Sequence, residues 1–450
     1  MSETLPGRDT EEPRPAALRR VVAASFIGNF VEWFDYAVYG YLAATIALVF
    51  FPETSPTAGL LATFGVFAIS FIIRPVGGVF WGHFGDKVGR RTALSLSILI
   101  MSVSTFAIAL LPGYERIGLA APVLLLLVRL VQGFSAAGEY AGAASFLFEY
   151  APKSRRGVYT SVVPASTATG LLFGSVLVTV LTATLSDDQM AAWGWRLPFL
   201  LAAPLGLIGR YIRTKLEDTP EFRALEQEEA RTRTPLKETF LHNKRAILVG
   251  LGVACLNAVG FYTLLTYMPT YLSSELQLDE TASFLSTTVA LCGYIGSVFL
   301  MGRLSDRFGR PAVLAAAGIV FALLSVPMFL LVGTAGLVGI MLLQLGLGVM
   351  LTMNDGTLPS YLAELFPTRV RYSGFAFSFN LANALFGGTA PFVATFLIHS
   401  SGSNLAPAWY LAAAGLVAAL SISLARGISP RDPVRTGKPS QTATPVDTTA

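Results

Sequence analysis

Charged residues, cysteines and histidines are scarce in this chain of 450 residues. Asp, Glu, Lys and Arg together make up 13% of it, roughly half the share found in soluble globular domains. The two cysteines, Cys255 and Cys292, lie in apolar segments, and neither they nor the three histidines have the spacing of metal ligands. We therefore expect the cysteines to be packing residues, and we expect no metal site or cofactor.

Motifs of enzymes and of nucleic-acid-binding proteins are also missing. The chain has no Gly-x-x-x-x-Gly-Lys-Ser/Thr loop for nucleotide phosphates and no evident serine or cysteine nucleophile, which argues against ATP coupling and against an enzyme. The net charge is +4, but the basic residues form short clusters between apolar runs. Such clusters are typical of membrane topology signals, so we expect no nucleic-acid partner.

Long apolar stretches dominate instead. Hydrophobic residues make up 53% of the chain, and its mean hydropathy is +0.59. Apolar runs of about 20 residues recur, and a helix of that length crosses a hydrocarbon core of about 30 Å. We predict twelve membrane-spanning helices, at about 19–48, 57–82, 92–112, 119–148, 157–184, 194–212, 246–272, 281–302, 311–332, 335–358, 373–398 and 406–427.

The basic residues predict the orientation of these helices. Nearly all of the 32 Lys and Arg residues fall in the two tails and in connections on the same side as the tails. The positive-inside rule then places both termini in the cytoplasm, for a multi-pass protein of the cell membrane. The predicted organisation is a cytoplasmic tail (1–18), a six-helix bundle (19–212), a cytoplasmic loop (213–245), a second six-helix bundle (246–428) and a disordered tail (429–450).

An internal repeat supports this division into two bundles. The stretch Gly82-x-x-x-Asp86-x-x-Gly89-Arg90-Arg91 returns as Gly302-x-x-x-Asp306-x-x-Gly309-Arg310, with the shared residues at one constant offset. A second pair of similar stretches, Glu149-x-x-Pro152 and Glu364-x-x-Pro367, has nearly the same offset. Internal repeats of this kind are typical of transporter folds.

The repeated stretch could hold the cytoplasmic end of a protein closed if that protein opens and closes there. Its glycines let helices approach closely, and its acid and arginines can bond across the cytoplasmic face. We interpret the following residues as a conformational latch: Gly82, Asp86, Gly89, Arg90, Arg91, Asp306 and Arg310. The alternative is a basic topology loop with glycines that serve its turns.

This stretch resembles the signature of the major facilitator superfamily. The resemblance implies an all-α integral membrane protein, with twelve transmembrane helices in two six-helix repeats (the major facilitator fold). It also implies that Asp86 stabilises the outward-open state by bonding across the cytoplasmic interface between the domains. Asp306 and Arg310 would be a weaker counterpart in the second half.

A closer resemblance covers nearly the whole chain. The stretches 28–35, 73–78 and 132–140 resemble the metabolite:proton symporter family, and 264–272 and 367–373 look most like its proline/glycine-betaine transporters. The stretch 386–391 also resembles the citrate and oxoglutarate members. The resemblance implies a secondary active transporter that imports a small zwitterionic osmolyte with a proton by alternating access. Symport of a small carboxylate is the alternative, and a passive facilitator or a non-transporting sensor is a further one.

Several ionisable residues fall inside the predicted helices. Each would cost about 2.5–3.5 kcal/mol if it faced lipid, so each is expected to face the interior of the bundle. A desolvated carboxylate there can exchange a proton, and we take Glu32, Asp35 and Glu139 as the candidates for proton coupling. The alternative is a static ion-pair network. Arg74 and Arg129 suit a substrate carboxylate or the role of keeping those acids ionised.

Polar and aromatic residues of the same helices are candidates for the wall of a substrate cavity. Aromatic faces hold a quaternary ammonium at about 0.5–2 kcal/mol per contact, which suits betaine, although ordinary packing explains any single ring as well. The cavity candidates are Asn29, Trp33, Tyr36, Tyr39, Arg74, Arg129, Gln132, Tyr140, Asn257, Tyr262, Asn354, Asp355, Asn380 and Asn383. Asn383 fits interhelical hydrogen bonding equally well. The expected partners are a small-molecule substrate, a proton and the lipid bilayer, for a protein that acts as a monomer.

Overall fold

The computed structural model describes residues 15–52, 56–215 and 240–425. Most of the predicted cytoplasmic loop (213–245), nearly all of the predicted first tail and the whole of the second (429–450) lie outside the described residues. The first tail overlaps them at residues 15–18, which are already helical because the first helix begins at Pro15.

Eleven helices of the described chain are long and apolar enough to cross a membrane, and a bent pair of helices makes a twelfth span. We number the spans in chain order. They are α1 (Leu18–Tyr41, continued after a 67° bend by Ala43–Phe50), α2 (Ala62–Val88), α3 (Arg90–Leu110), α4 (Ala120–Tyr150), α5 (Lys153–Thr184), α6 (Asp187–Ile212), α7 (Lys244–Ser273), α8 (Ala282–Phe308), α9 (Arg310–Val332), α10 (Leu337–Leu365), α11 (Thr368–Ser401) and α12 (Ala406–Leu424). We call α1–α6 the N-terminal half and α7–α12 the C-terminal half.

The repeated motif is not a loop, which corrects its placement between helices. Helix α2 continues past the predicted end at residue 82 to Val88, and α8 continues past 302 to Phe308. The helices break only at Gly89 and Gly309, whose φ angles are +121° and +89°. Residues with a side chain rarely adopt such angles. Asp86 and Asp306 therefore lie in the last turns of helices, which orients their carboxylates rigidly. We call this end of the molecule the motif end, and the opposite end the far end.

Four of the spans are irregular. Helix α4 is interrupted between Ala120–Ala136 and Glu139–Tyr150, and α10 between Leu337–Asp355 and Leu358–Leu365. Helices α7 and α11 contain π-helical turns, at Tyr262–Tyr267, Tyr271–Glu275 and Asn383–Gly387. Such irregularities free backbone groups and often mark functional sites in membrane proteins.

The two halves pack in equivalent ways. Helix α1 packs on α5 as α7 does on α11, and α3 packs on α6 as α9 does on α12. Helix α2 packs on α4, and α8 on α10. Between the halves, α2 packs against α11 and α5 against α8. This arrangement leaves α1, α4, α7 and α10 around the centre of the molecule.

The outer surface of the bundle is apolar. Ile72, Leu323, Val338 and Phe392 are each at least 67% exposed. Exposure of such side chains to water costs free energy, whereas contact with lipid tails does not. Each helix also satisfies its own backbone hydrogen bonds, as a membrane span must. The exposed apolar surface and the buried charges together indicate a multi-pass membrane protein.

Candidate functional site

Two buried ion pairs occupy the centre of the N-terminal half. The Arg74 guanidinium of α2 lies 2.8 Å from the Glu32 carboxylate of α1, and Arg129 of α4 lies 3.2 Å from Asp35. All four side chains are at most 2% exposed. Burial of an isolated charge is costly, and each partner offsets that cost for the other. Each arginine is thus paired with an acid of its own half. Either role predicted for the arginines, binding a substrate carboxylate or keeping the acids ionised, begins from this pairing.

Aromatic rings surround both guanidinium groups. Arg74 lies 4.7 Å from the ring centroid of Tyr36 and 4.5 Å from that of Phe71. Arg129 lies 4.2 Å from the centroid of Tyr39 and 5.1 Å from that of Tyr36. The faces of Tyr36 and Tyr39 are therefore in contact with cations of the protein itself.

Gln132 extends the second ion pair. Its side-chain amide donates to Asp35 and to the Thr105 hydroxyl (2.7 Å), and its carbonyl oxygen accepts from Arg129 at 2.5 Å. Tyr39 donates its hydroxyl to the backbone carbonyl of Thr63 on α2. These bonds connect α1, α2, α3 and α4 within the N-terminal half.

Asn29 holds α1 to α5. Its amide donates to the Val163 carbonyl at 2.9 Å and to the Thr167 hydroxyl at 2.6 Å. The structure thus places this cavity candidate in a contact between two helices of one half.

Glu139 lies at the interruption of α4. Its carboxylate is 1% exposed and accepts from the Ser97 hydroxyl at 3.5 Å, the limit for a hydrogen bond. It interacts electrostatically with Glu32. The next residue, Tyr140, stacks on Phe379 of α11, with ring centroids 4.2 Å apart. Asp35 also interacts electrostatically with Glu32, so the structure brings all three proton candidates near one another. The ring contact between the halves lies beside them.

The C-terminal half contains a polar cluster of a different kind. Asp355, the last residue of the first segment of α10, accepts from the Asn257 amide of α7 at 2.9 Å and from the Tyr294 hydroxyl of α8 at 2.6 Å. Its neighbour Asn354 is fully buried, and neither polar atom of its side chain has a hydrogen-bond partner among the described residues. Unpaired buried amides are costly, and they are the groups that a bound ligand or water would satisfy.

The two asparagines of α11 differ in their contacts. Asn380 donates to the Ala137 carbonyl of α4 at 2.8 Å, across the boundary between the halves, and also to Ala376. Asn383 donates to the Phe379 carbonyl of its own helix. Interhelical hydrogen bonding, which the sequence suggests for Asn383, is thus made by Asn380.

A small closed space of about 10 Å³ lies between the halves, with room for about one water molecule. Its lining residues carry aromatic rings, amides and hydroxyl groups: Trp33, Tyr140, Pro164, Thr167, Asn257, Phe261, Tyr294, Phe379 and Asn383. The cavity candidates predicted from the sequence do not include Pro164, Thr167, Phe261, Tyr294 and Phe379. A tyrosine inside the apolar α8 was the available signal for Tyr294, since a buried hydroxyl needs a partner.

Aromatic contacts close this space toward the far end. Tyr262 of α7 packs against Phe71 of α2, with ring centroids 5.6 Å apart, and against Trp33 at 6.2 Å. Beyond them, Tyr41 of α1 meets Phe284 of α8 at 6.3 Å.

Hydrogen bonds to backbone amides close the motif end. The Asp86 carboxylate accepts from the backbone N–H groups of Tyr372 (3.3 Å) and Ser373 (2.8 Å), near the N-terminus of the helical segment Arg371–Ala382. A carboxylate there satisfies free N–H groups and interacts favourably with the helix dipole. Gly82 makes the approach possible, since a Cβ at that position would lie 2.6 Å from the Ser373 Cα.

Three further charges join this contact. Arg90 lies 2.9 Å from Asp86 and 3.2 Å from Glu149, and Arg371 of the C-terminal half lies 2.8 Å from Glu149. Arg90 also donates to the Thr368 carbonyl at 2.7 Å. Arg91 instead donates to the Thr214 carbonyl, within the N-terminal half.

The second copy of the motif makes the equivalent contact with more solvent around it. Asp306 accepts from the backbone N–H groups of Gly157 (2.7 Å) and Val158 (3.1 Å) of α5. Arg310 pairs with Asp306 at 3.2 Å and with Glu364 at 3.1 Å. The Glu364 side chain is 38% exposed, whereas that of Glu149 is fully buried, so the second network is the more screened by water and salt.

The sequence matches the family described as the Major Facilitator Superfamily over residues 25–391. It is 41% identical to the glycine betaine/proline/ectoine/pipecolic acid transporter OusA of Dickeya dadantii, over 90% of this chain and 82% of that protein. It is 38% identical to a proline/betaine transporter of Escherichia coli K12, over 89% of this chain and 82% of the relative. The fold resembles that of the proton:xylose symporter XylE, with a TM-score of 0.75 at 17% identity, over 90% of this chain and 95% of that one.

Proposed function

The chain belongs to the major facilitator superfamily, and from this membership we propose that it is a secondary active transporter that imports a small zwitterion of the proline or glycine-betaine type with a proton. The observation that carries the proposal is the sealed central space. It lies between two six-helix halves, is lined by rings and amides, and adjoins buried acids. Relatives named for proline and betaine transport support the substrate class.

The central rings suit a methylated or secondary ammonium. Trp33, Tyr140, Phe261, Tyr294 and Phe379 meet there from both halves. A ring face attracts a cation by about 0.5–2 kcal/mol, more when water is excluded. In the sealed state the space is too small for a zwitterion, so the substrate binds when the halves separate and the rings move apart.

Alternating access follows from the contacts at the two ends. Among the contacts described above, ion pairs and helix-capping hydrogen bonds hold the motif end closed. Those that hold the far end closed are aromatic contacts. In our proposal the motif end faces the cytoplasm, as the distribution of basic residues predicts, and both termini lie on that side. Separation of the rings at the far end then opens the space outward while the motif end stays closed. The protein works as a monomer in the cell membrane, because one chain provides both halves.

Proton coupling would supply the energy for accumulation. A membrane potential of 100 mV is worth about 2.3 kcal/mol per charge, or roughly fiftyfold in concentration. One proton that crosses with a neutral zwitterion captures the whole potential. One proton that crosses with a monoanion is electroneutral and captures only the pH gradient, so electrical measurements distinguish an osmolyte from a small carboxylate.

Uptake into proteoliposomes tests this proposal. Radiolabelled proline, glycine betaine and oxoglutarate are compared under an inward proton gradient, an inward sodium gradient and a protonophore. We expect proline or betaine to accumulate with the proton gradient and to leak out when the protonophore is added. Accumulation of oxoglutarate alone would favour the carboxylate alternative. Equilibration without accumulation would indicate a passive facilitator, and binding without flux a sensor.

A further inference from the structure

Asp355 is a fully buried carboxylate whose hydrogen-bond donors are neutral. In the N-terminal half, Glu32 and Asp35 each have an arginine within 3.2 Å. No Lys, Arg or His of the described chain lies within 4.0 Å of Asp355. The two halves therefore stabilise their central acids in different ways.

The surroundings of Asp355 come from several helices. Asn257 of α7 and Tyr294 of α8 donate to its two oxygens, and Tyr140 of α4 interacts with it electrostatically. Tyr140 also interacts electrostatically with Glu32 of α1. The described parts of α9 and α11 bring no charged side chain within ion-pair distance of Asp355.

Protonation has opposite consequences at the two kinds of acid. A proton on Glu32 or Asp35 would remove the partner of a buried guanidinium and leave that cation uncompensated. A proton on Asp355 removes a buried charge that has no counter-ion, and it leaves no cation unpaired. Of Glu32, Asp35 and Asp355, it is therefore Asp355 that can gain a proton without disrupting an ion pair.

The position of Asp355 connects protonation to the substrate space. Its two donors, Asn257 and Tyr294, line the space between the halves. It also ends the first helical segment of α10, just before the break at Gly356 and Thr357. A change in its hydrogen bonding is thus transmitted to the wall of the space and to an interrupted helix.

We propose that Asp355 carries the coupling proton, while Glu32 and Asp35 remain ionised in their pairs with Arg74 and Arg129. This inference rests on the proton symport proposed above. The proton leaves water on the outer side, forms an O–H bond with a carboxylate oxygen of Asp355, and returns to water on the inner side. No other covalent bond changes, and no electron is transferred.

The test compares gradient-driven accumulation with exchange. In proteoliposomes, Asp355→Asn should still exchange external for internal labelled betaine at equal pH, because exchange requires no net proton movement. Under a 100 mV potential its accumulation ratio should fall from roughly fiftyfold to one. The matched control is Asp188→Asn, the same substitution at an exposed position, which should keep full accumulation.

Other outcomes decide against the inference. Proton-driven accumulation by Asp355→Asn at the wild-type ratio would overturn it. Loss of exchange together with accumulation would make Asp355 a substrate-binding or structural residue, which also overturns it. If Asp355→Asn fails to fold, Asp355→Glu is used, since a carboxylate of different reach must shift the pH profile of accumulation, and an unchanged profile contradicts the role. Wild-type protein without any proton-driven accumulation would instead refute the symport proposal.

Discussion

At the scale of single residues, the buried charges of the N-terminal half form pairs that stabilise each other. Glu32 and Arg74 are 2.8 Å apart and almost completely buried, and one oxygen of Glu32 has no hydrogen-bond partner among the described residues. The pair is therefore sensitive to removal of either member. Its loss as a unit is expected to be less harmful than the loss of one charge.

Arg74→Gln should lower the free energy of unfolding by about 3–5 kcal/mol, because it leaves Glu32 buried without a counter-ion. The double variant Glu32→Gln, Arg74→Gln should recover part of that loss. Thermal unfolding in detergent measures both, as a double-mutant cycle. Additive effects of the two substitutions would show that the pair is not coupled.

At the scale of helices, a ring of the C-terminal half inserts between two helices of the N-terminal half. Tyr372 of α11 donates its hydroxyl to the Gly138 carbonyl at 2.5 Å and is fully buried. Gly85 of α2 and Gly142 of α4 flank the ring, and a Cβ on Gly142 would lie 2.5 Å from the Tyr372 hydroxyl oxygen. The space for the Tyr372 ring exists because Gly85 and Gly142 have no side chains. The ring occupies this space only when the motif end is closed.

Gly142→Ala should weaken closure of the motif end, because the added methyl group would lie 2.5 Å from the Tyr372 hydroxyl oxygen when that end is closed. Its other close contact, with Leu94 Cδ2 at 2.7 Å, is within the N-terminal half and does not depend on closure. Opening is measured as the labelling rate of Ser373→Cys in a protein without Cys255 and Cys292, since Ser373 is 1% exposed and a reagent reaches it only when the motif end opens. Each 1.4 kcal/mol of weakening raises the open population about tenfold while closure dominates. Gly65→Ala is the control, since a Cβ there has open space. Equal labelling rates in the two variants would contradict the proposed fit.

At the scale of the whole molecule, the two halves are related by sequence but differ in their environments. Asp86 and Asp306 cap equivalent helices of the opposite half. The arginine beside Asp86 is fully buried, whereas the side chain of Arg310 is 12% exposed and that of its second partner, Glu364, 38%. The closed state should therefore depend more on the first contact than on the second.

Asp86→Asn should open the motif end more than Asp306→Asn does. Spin labels on the two halves would show the difference as a larger fraction of long distances at that end. Added salt should reduce the effect of Asp306→Asn more strongly, because its network is closer to solvent. Equal populations for the two variants would contradict the asymmetry.

Much of the architecture was predictable, and the family resemblance is confirmed. Hydropathy alone indicates the helices, because spanning the hydrocarbon core requires about 20 apolar residues in a self-bonded backbone. The offset between Asp86 and Asp306 indicates the two repeats, because a duplicated chain keeps its spacing. The helix ends were less accurate: hydropathy falls at residue 82, but the helix continues until Gly89, where the backbone conformation changes.

The partners of the buried residues depended on the tertiary structure. The sequence alone indicates that four acids must avoid lipid, because a charge in hydrocarbon is costly wherever it occurs. They are Glu32, Asp35, Glu139 and Asp355. Their roles in transport remain predictions. Only the packing of α1, α2 and α4 decided that two of these acids have arginine partners, and only the packing of α7 and α8 around α10 gave Asp355 neutral ones. The physical reason is that hydropathy depends on each residue alone, whereas an ion pair depends on distances between residues far apart in the chain.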